Sequence, residues 1–404
     1  MPDFTSPATL RSQVKRIVDF YAQHAWNPNG GFHQCLEHDG TVCDSRVRHL
    51  VSSTRYVYLF ATASQVLGEG RYRDLTTHAI AELDRAHRVS SPGLYRWLSD
   101  PQQGAVDDTV RVYGLAFAML AGAEAVKAGF THEVARIDET WELIDRVFWN
   151  PDFHLAADES PGDLSSIDPY RGQNANMHLL EALLSAHEAT GHDRYKDRAA
   201  QIAHAMAVRQ AGLTGGRIWE HYREDWSIDW DFNRHKPDDL FRPWGFQPGH
   251  QVEWAKLLIQ LESRISEPWM IPRARQLFEG ALRWGWDPEY GGLYYSVAPD
   301  NRPASTDKYY WVAAEAIGAA AVLWKRTGEE YYREWYLRLW EYVWKHFIDH
   351  RHGAWFRVLT RDHQILETVK SPPGKTGYHP VGACVAGLHA FNDPRNQLHR
   401  RRVV

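Results

Sequence analysis

Apolar residues recur along this chain at the spacing of three and four positions that is typical of α-helices. The pattern is clearest in six segments: Ser53–Leu67, Val110–Ala125, Asn174–Ala189, His250–Leu261, Tyr310–Trp324 and Tyr331–Phe347. Helices are also predicted between them: Arg71–Ala86, Glu133–Val147, Tyr195–Val208 and Arg273–Trp284. The pattern predicts an all-α protein of about twelve helices, which pair into about six hairpins.

The segments that connect these helices also recur. Trp26–Phe32, Trp149–His154 and Trp286–Leu293 each begin with Trp, Asn or Asp, and Pro, and Gly215–Trp219 and His352–Phe356 are degenerate copies. A spacing of roughly sixty residues indicates a repeated helical hairpin. Six hairpins can close into an (α/α)6 barrel with a central cavity and short β connectors, and the alternative is an open solenoid.

Closure into a barrel is favoured because polar residues on apolar helix faces need a sheltered cavity. No linker or low-complexity tract divides the chain, so residues 1–404 are predicted to form a single catalytic domain. The longest irregular segment is Glu220–Gly249, and a loop of this length in a compact domain is typically functional. Whether it acts as a lid is left open.

Composition narrows the range of partners. A net charge of −5 gives no footprint for nucleic acid. No apolar run of about 18 residues could span a membrane, and the N-terminus lacks the apolar run of a signal peptide. Three scattered cysteines are too few for a disulfide framework or a Cys-rich zinc site, which favours a cytoplasmic protein. Eighteen tryptophans exceed what core packing requires, and Trp faces are common platforms for sugar rings.

Two predicted helices carry similar polar groups. Asn174, His178 and Glu181 share one helical face, as do His250 and Glu253. A carboxylate three residues from a histidine can fix its tautomer and raise its basicity. The alternative is a plain helix-stabilising contact. Two such pairs inside otherwise apolar helices favour the functional interpretation.

Three further residues stand out. His379 follows a Gly-rich loop and precedes a helix of small residues, where it is either functional or an end cap. Arg55 and Tyr113 each interrupt an apolar helix, and a buried guanidinium needs partners. Metal binding is the main alternative for the histidines, but no His-Glu-x-x-His or Cys/His spacing appears, so no metal and no cofactor are predicted. Serine-nucleophile and phosphate-loop motifs are also absent from the sequence.

Five strings together carry a family resemblance: HLVSSTRYVYLFA around Arg55, NANMHLLEALL, PGHQVEWAKLL, KYYWVAAEAIGA and the late His379. In this order they resemble the N-acylglucosamine 2-epimerase superfamily, over about residues 20 to 390. The resemblance implies an (α/α)6 barrel, no metal and a sugar held in the central cavity.

The resemblance also implies roles. His379 would shuttle a proton between C1 and C2 of an open-chain sugar, while His250, oriented by Glu253, would assist ring opening and serve as the second acid/base in epimerases. Arg55 and His178 would steady negative charge near O1 and O2. Predicted substrate contacts are Tyr113, Asn174, Trp311 and Glu181, whereas Glu315, one turn from Trp311, is expected to be structural.

This chemistry is physically consistent, because removing a proton next to a carbonyl requires a base poised near neutral pH, which histidine provides. The NANMH and GHQVEWAKLL runs are closer to the aldose–ketose isomerases, so D-mannose to D-fructose conversion is expected, with lyxose/xylulose as a further pair. The alternatives are a sugar 2-epimerase acting on mannose/glucose, cellobiose or N-acylglucosamine, an (α/α)6 glycoside hydrolase, and a non-catalytic binding protein. The expected partner is a small monosaccharide, bound by a monomer or homodimer.

Overall fold

A computed structural model describes residues 1–28, 30–44 and 46–392. The described residues form twelve α-helices: α1 (Pro7–His24), α2 (Leu50–Leu67), α3 (Gly70–His87), α4 (Val112–Lys127), α5 (Val134–Leu143), α6 (Gln173–Thr190), α7 (Asp193–His204), α8 (Pro248–Ile265), α9 (Met270–Gly285), α10 (Tyr310–Thr327), α11 (Glu330–His346) and α12 (Tyr378–Phe391). The predicted helices are thus all present.

Short strands lie between the helices. They are β1 (Cys35–Glu37), β2 (Val42–Asp44), β3 (Arg48–His49), β4 (Leu98–Asp100), β5 (Gly104–Asp107), β6 (Val110–Arg111), β7 (Trp149–Asn150), β8 (Leu155–Ala156), β9 (Glu159–Ser160), β10 (Arg171–Gly172), β11 (His221–Tyr222), β12 (Ser296–Val297), β13 (Pro303–Ser305), β14 (Lys308–Tyr309), β15 (Val358–Leu359) and β16 (Val369–Ser371). They pair antiparallel as β16-β1-β2, β3-β4-β5, β6-β9, β7-β8, β10-β11, β12-β13 and β14-β15.

Two kinds of helix alternate along the chain. Helices α2, α4, α6, α8, α10 and α12 are buried over most of their residues, whereas α3, α5, α7, α9 and α11 bury one face. A helix that is apolar on most sides must be enclosed by others, and an amphipathic helix covers it from one side. The hairpin pattern of the sequence is therefore confirmed.

The chain divides into two compact units. Unit 1 comprises Met1–Phe20, His235–Thr368 and the chain from Gly377, and unit 2 comprises Tyr21–Arg234 with Val369–Thr376. In unit 1, α10 packs against α8, α11 and α12, and α9 packs against α8. In unit 2, α4 packs against α2, α5 and α6, while α3 packs against α2 and α7 against α6. The prediction that residues 1–404 act as one domain stays a prediction.

The repeated connectors form the same tight turn. Asp287 Oδ1 accepts hydrogen bonds from the backbone N–H groups of Glu289 and Tyr290, and Asn150 and Asp349 make the equivalent pairs of bonds in their own turns. A short side-chain acceptor at this place closes an Asx turn, which explains the recurrence of Asn or Asp.

Short ladders fix where four buried helices begin. Strands β3, β6, β10 and β14 end at the residue before α2, α4, α6 and α10, respectively. A ladder holds the backbone direction at the helix N-terminus, so a side chain in the first turns has a defined position. The sequence-predicted site residues of these helices lie within those turns.

Two observations concern the cysteines and the apolar segments. Cys35 and Cys43 form a disulfide bond in the β1–β2 hairpin, with sulfur atoms 2.15 Å apart, while Cys384 is a buried free thiol. The small number of scattered cysteines predicts no disulfide framework, and this single bond is not among the predicted features. Within the described residues, none of the helices has the length and apolar character needed to cross a membrane.

Candidate active site

A buried carboxylate links two cationic or basic side chains in unit 1. Glu315 of α10 places Oε1 2.7 Å from Nδ1 of His379 and Oε2 2.5 Å from Nζ of Lys256. His379 lies in the first turn of α12 and Lys256 in the middle of α8, and all three side chains are buried. Three neighbouring helices thus contribute one side chain each.

This contact defines the tautomer of His379. An ionised carboxylate only accepts hydrogen bonds, so the Nδ1 atom of His379 carries the proton that is donated to Glu315. The lone pair of the neutral imidazole then lies on Nε2, on the opposite side of the ring. His379 is therefore oriented to act as a base through Nε2.

Trp311 contacts both candidate histidines. Its ring centroid lies 5.0 Å from that of His250 and 5.7 Å from that of His379. Gly249 allows this packing, because a Cβ atom at that position would lie 2.5 Å from the Trp311 ring. His250 and His379 therefore lie against the same Trp311 ring.

Glu253 belongs to the same cluster. It is fully buried one turn after His250 on α8, and its carboxylate, Glu315 and His379 offer ligand atoms within 4.8 Å of one another. Such a set has the donor types that bind metal ions. However, the Lys256 ammonium already places a positive charge on Glu315. Part of the negative charge that a metal ion would balance in this cluster is thus already balanced by Lys256.

The predicted residues of unit 2 form a second group. Arg55 donates hydrogen bonds to the Gly374 carbonyl (2.8 Å) and to the Tyr113 hydroxyl (3.3 Å). The rings of Tyr113 and His178 meet edge to face at a centroid distance of 5.1 Å. His178 Nδ1 lies 3.0 Å from Glu181 Oε2. The helical spacing of His178 and Glu181 therefore predicted a real contact.

The remaining contacts complete this group. The Arg55 guanidinium lies over the ring of Phe117 at 4.3 Å, and Phe117 in turn contacts His178. Asn174 lies one helical turn before His178 on α6. Gly374 is held by its N–H bond to Ser52 Oγ at 2.7 Å, so the carbonyl that receives Arg55 is fixed as well.

Sequence reasoning missed two parts of these groups. Glu315 is predicted to be structural, whereas it contacts His379 directly, and Lys256 is absent from the predicted site residues. A signal existed, since Lys256 continues the His250 and Glu253 stripe at the same spacing of three. The partner of that stripe on α10 lies 59 residues away, beyond any local pattern.

Several known sugar isomerases and epimerases are similar to this chain in sequence or in fold. A D-mannose isomerase from Marinomonas mediterranea is 44% identical over 95% of this chain and 97% of its own length. A crystal structure of a D-mannose isomerase matches with a TM-score of 0.94 and 44% identity, covering 96% of this chain and 99% of the other. A cellobiose 2-epimerase from Bacillus thermoamylovorans has a TM-score of 0.84 at 18% identity, with 95% and 98% covered, which supports the fold.

These structural neighbours confirm the predicted all-α, (α/α)6-barrel class. The family model described as N-acylglucosamine 2-epimerase matches residues 30–383, the greater part of the sequence. The chain belongs to the N-acylglucosamine 2-epimerase family.

Proposed function

We propose that this protein is an aldose–ketose isomerase that interconverts D-mannose and D-fructose without a metal ion or cofactor. The observation that carries the proposal is the hydrogen bond from His379 to Glu315, because a proton held on Nδ1 leaves Nε2 as the nitrogen that can act as a base. The similarity to D-mannose isomerases over nearly the whole chain supports the choice of reaction and sugar.

In the proposed reaction, Nε2 of His379 removes the proton from C2 of open-chain mannose. The electron pair of the broken C–H bond forms the C1–C2 double bond, and the carbonyl oxygen O1 becomes the enediolate oxygen. The imidazolium then returns the proton to C1 on the same face, while the O2 hydroxyl proton is transferred to O1. The product carries the carbonyl at C2, and His379 regains its neutral form.

The other residues keep the roles predicted from the sequence. His250, oriented by Glu253, would protonate the ring oxygen and open the cyclic sugar. Arg55 and His178 would stabilise the negative charge on the enediolate oxygens. Substrate contacts are proposed for Tyr113, Asn174, Trp311 and Glu181, and Trp311 has the flat apolar face that a sugar ring requires.

Product identity tests the proposal. The protein is incubated with D-mannose in D2O, and the sugars are followed by NMR from the first minutes. Fructose is expected as the first and dominant product, with partial deuterium at C1 where the imidazolium exchanges before returning its proton. Glucose appearing first would instead identify a 2-epimerase, in which a second base acts from the opposite face.

We also propose that the enzyme acts in the cytoplasm on a free monosaccharide, as a monomer or homodimer. The substrate class is supported by the sugar-converting relatives. Light scattering at micromolar concentration distinguishes the two oligomeric states. Alkylation of thiols in intact cells tests the compartment, because cytoplasmic thiols would reduce the Cys35–Cys43 bond, whose Cys43 is exposed.

A further inference from the structure

We propose that Lys256 is a positioning residue for the proton transfer: its ammonium holds the Glu315 carboxylate ionised and in place, so that His379 stays neutral and basic. This inference rests on the proposed function, because it assigns to Lys256 an effect on the base of that reaction. Lys256 does not contact the reacting atoms. It acts through Glu315.

The geometry makes Lys256 part of a single chain of contacts. One oxygen of Glu315 faces the Lys256 ammonium and the other faces the His379 imidazole, at 2.5 Å and 2.7 Å. The side chains of Lys256, Glu315 and His379 are 10%, 3% and 5% exposed, respectively, so water does little to screen the two contacts. A change of charge at Lys256 must therefore be felt at His379.

The choice of lysine has a chemical consequence. A lone buried carboxylate beside an imidazole stabilises the imidazolium form, because the opposite charges attract. A protonated His379 could no longer remove a proton from the sugar. The Lys256 ammonium shares the negative charge of Glu315 and weakens this effect. Glu315 then orients the imidazole without keeping it protonated.

Other titratable groups of unit 1 also lie close to His379 and contribute to the charge around it. Glu253 of α8 places a carboxylate oxygen within 4.8 Å of Glu315 and His379, and the centroids of the Tyr310 and Tyr378 rings lie 6.3 Å and 4.6 Å from that of the imidazole. Among these groups of unit 1, Lys256 is the cationic one. Replacing Lys256 by a neutral residue therefore makes the net charge around His379 more negative.

The test compares Lys256→Met with Lys256→Arg, which keeps the charge. Lys308→Met is the control, because Lys308 is also buried in unit 1 and its ammonium pairs with Asp287 at 3.1 Å rather than with Glu315. Two readouts are measured: the pH dependence of kcat/KM, and the downfield proton resonance of His379 Nδ1–H in the sugar-free protein, assigned by its loss in His379→Ala. If Lys256→Met does not fold, Lys256→Gln takes its place.

In Lys256→Met, the acid limb of the pH profile should move to higher pH by about one unit. Its kcat at neutral pH should fall by up to about tenfold, because fewer molecules then carry a neutral His379, with a much smaller change in KM. The Nδ1–H resonance should move further downfield, because Glu315 then gives its full charge to the imidazole. Lys256→Arg should stay close to the wild type in both readouts, and Lys308→Met should leave both unchanged.

An unchanged acid limb and resonance in Lys256→Met would overturn the proposal, as would the same shift in Lys308→Met. Failure of the proposed function is recognised separately, because the wild-type protein would then form no fructose from mannose. In that case the resonance in the sugar-free protein still decides whether Lys256 acts on His379.

Discussion

Replacing Glu315 by glutamine tests whether activity depends on the orientation and tautomer of His379 and not only on its presence. An amide has one oxygen acceptor, whereas the carboxylate serves both Lys256 and His379 with one oxygen each. The ammonium of Lys256 has only donors and will take the amide oxygen. The amide NH2 group then faces Nδ1 of His379, which must become an acceptor and carry its proton on Nε2.

The magnitude follows from this reversal. With the proton on Nε2, the lone pair of His379 faces the new amide instead of the sugar, and kcat of Glu315→Gln should fall by about 10³-fold or more. The same substitution leaves the buried Lys256 ammonium without its charged partner, bonded only to a neutral amide oxygen. Breaking a buried ion pair costs about 3–5 kcal/mol, and the retained amide oxygen places this variant at about 3 kcal/mol.

Combining Glu315→Gln with Lys256→Met tests this explanation most directly, because the second substitution should partly restore what the first one removes. Without the ammonium, the amide oxygen introduced by Glu315→Gln can turn to His379 and accept the Nδ1 proton. The double variant should therefore be both more active and more stable than Glu315→Gln alone, by about tenfold and by about 2 kcal/mol. Initial rates of fructose formation and equilibrium urea unfolding measure the two quantities.

A control variant tests whether the recovery of activity and stability is specific to the removal of Lys256. Lys308→Met removes a buried lysine elsewhere in unit 1 and should rescue neither quantity when combined with Glu315→Gln. A double variant of Lys256 and Glu315 that is no more active than Glu315→Gln would refute the tautomer argument. One that is no more stable would refute the claim that an unpaired ammonium causes the loss.

Four further outcomes are expected. His379→Ala should abolish isomerisation with the fold retained by circular dichroism, and activity above about a tenth of wild type would remove His379 from this role. EDTA dialysis should leave the rate of fructose formation unchanged, since the contacts of the cluster require no cation; a loss restored by added metal would reverse this assignment. Burial lowers the pKa of His87 to about 4, so the unfolded chain takes up a proton near pH 6.5 before the folded chain does. Between pH 7 and pH 4, the free energy of unfolding of the wild type, measured with urea, should therefore fall by about 3 kcal/mol more than that of His87→Asn. Purified, denatured protein should titrate one thiol without reductant and three with it, and three in both would contradict the Cys35–Cys43 bond.

The helices could be predicted because their pattern is local. Alternation of nearly apolar and amphipathic segments identifies buried and covering helices from the sequence alone. The ends were less accurate where neighbours decide them. Helix α2 begins at Leu50 rather than Ser53, because His49 caps it and β3 pairs with β4, and the predicted Glu133–Val147 ends in a π-helical turn at Ile144–Phe148.

The site residues were predictable where chemistry and spacing coincide within one helix. His178 and Glu181 share a helical face and do form a contact. The bond between His379 and Glu315 joins residues 64 apart, so only the packing of α10 against α12 reveals it. The spacing on α8 places Lys256 in line with His250 and Glu253, but its role depends on the Glu315 carboxylate of α10, which only the packing of the helices brings next to it.

In the proposed reaction, the charges around His379 also affect how readily this base releases its proton again. When neutral His379 takes the proton from C2, the set of Lys256, Glu315 and His379 gains one positive charge while the sugar gains one negative charge. The two charges appear and disappear together, and each stabilises the other in a site screened from water. If Glu315 lacked its ammonium, the imidazolium and carboxylate would already form a neutral pair, and return of the proton to C1 would have to break it. The Lys256 contact therefore favours a base whose affinity for the proton is balanced between removal and return, as an isomerase that works in both directions requires.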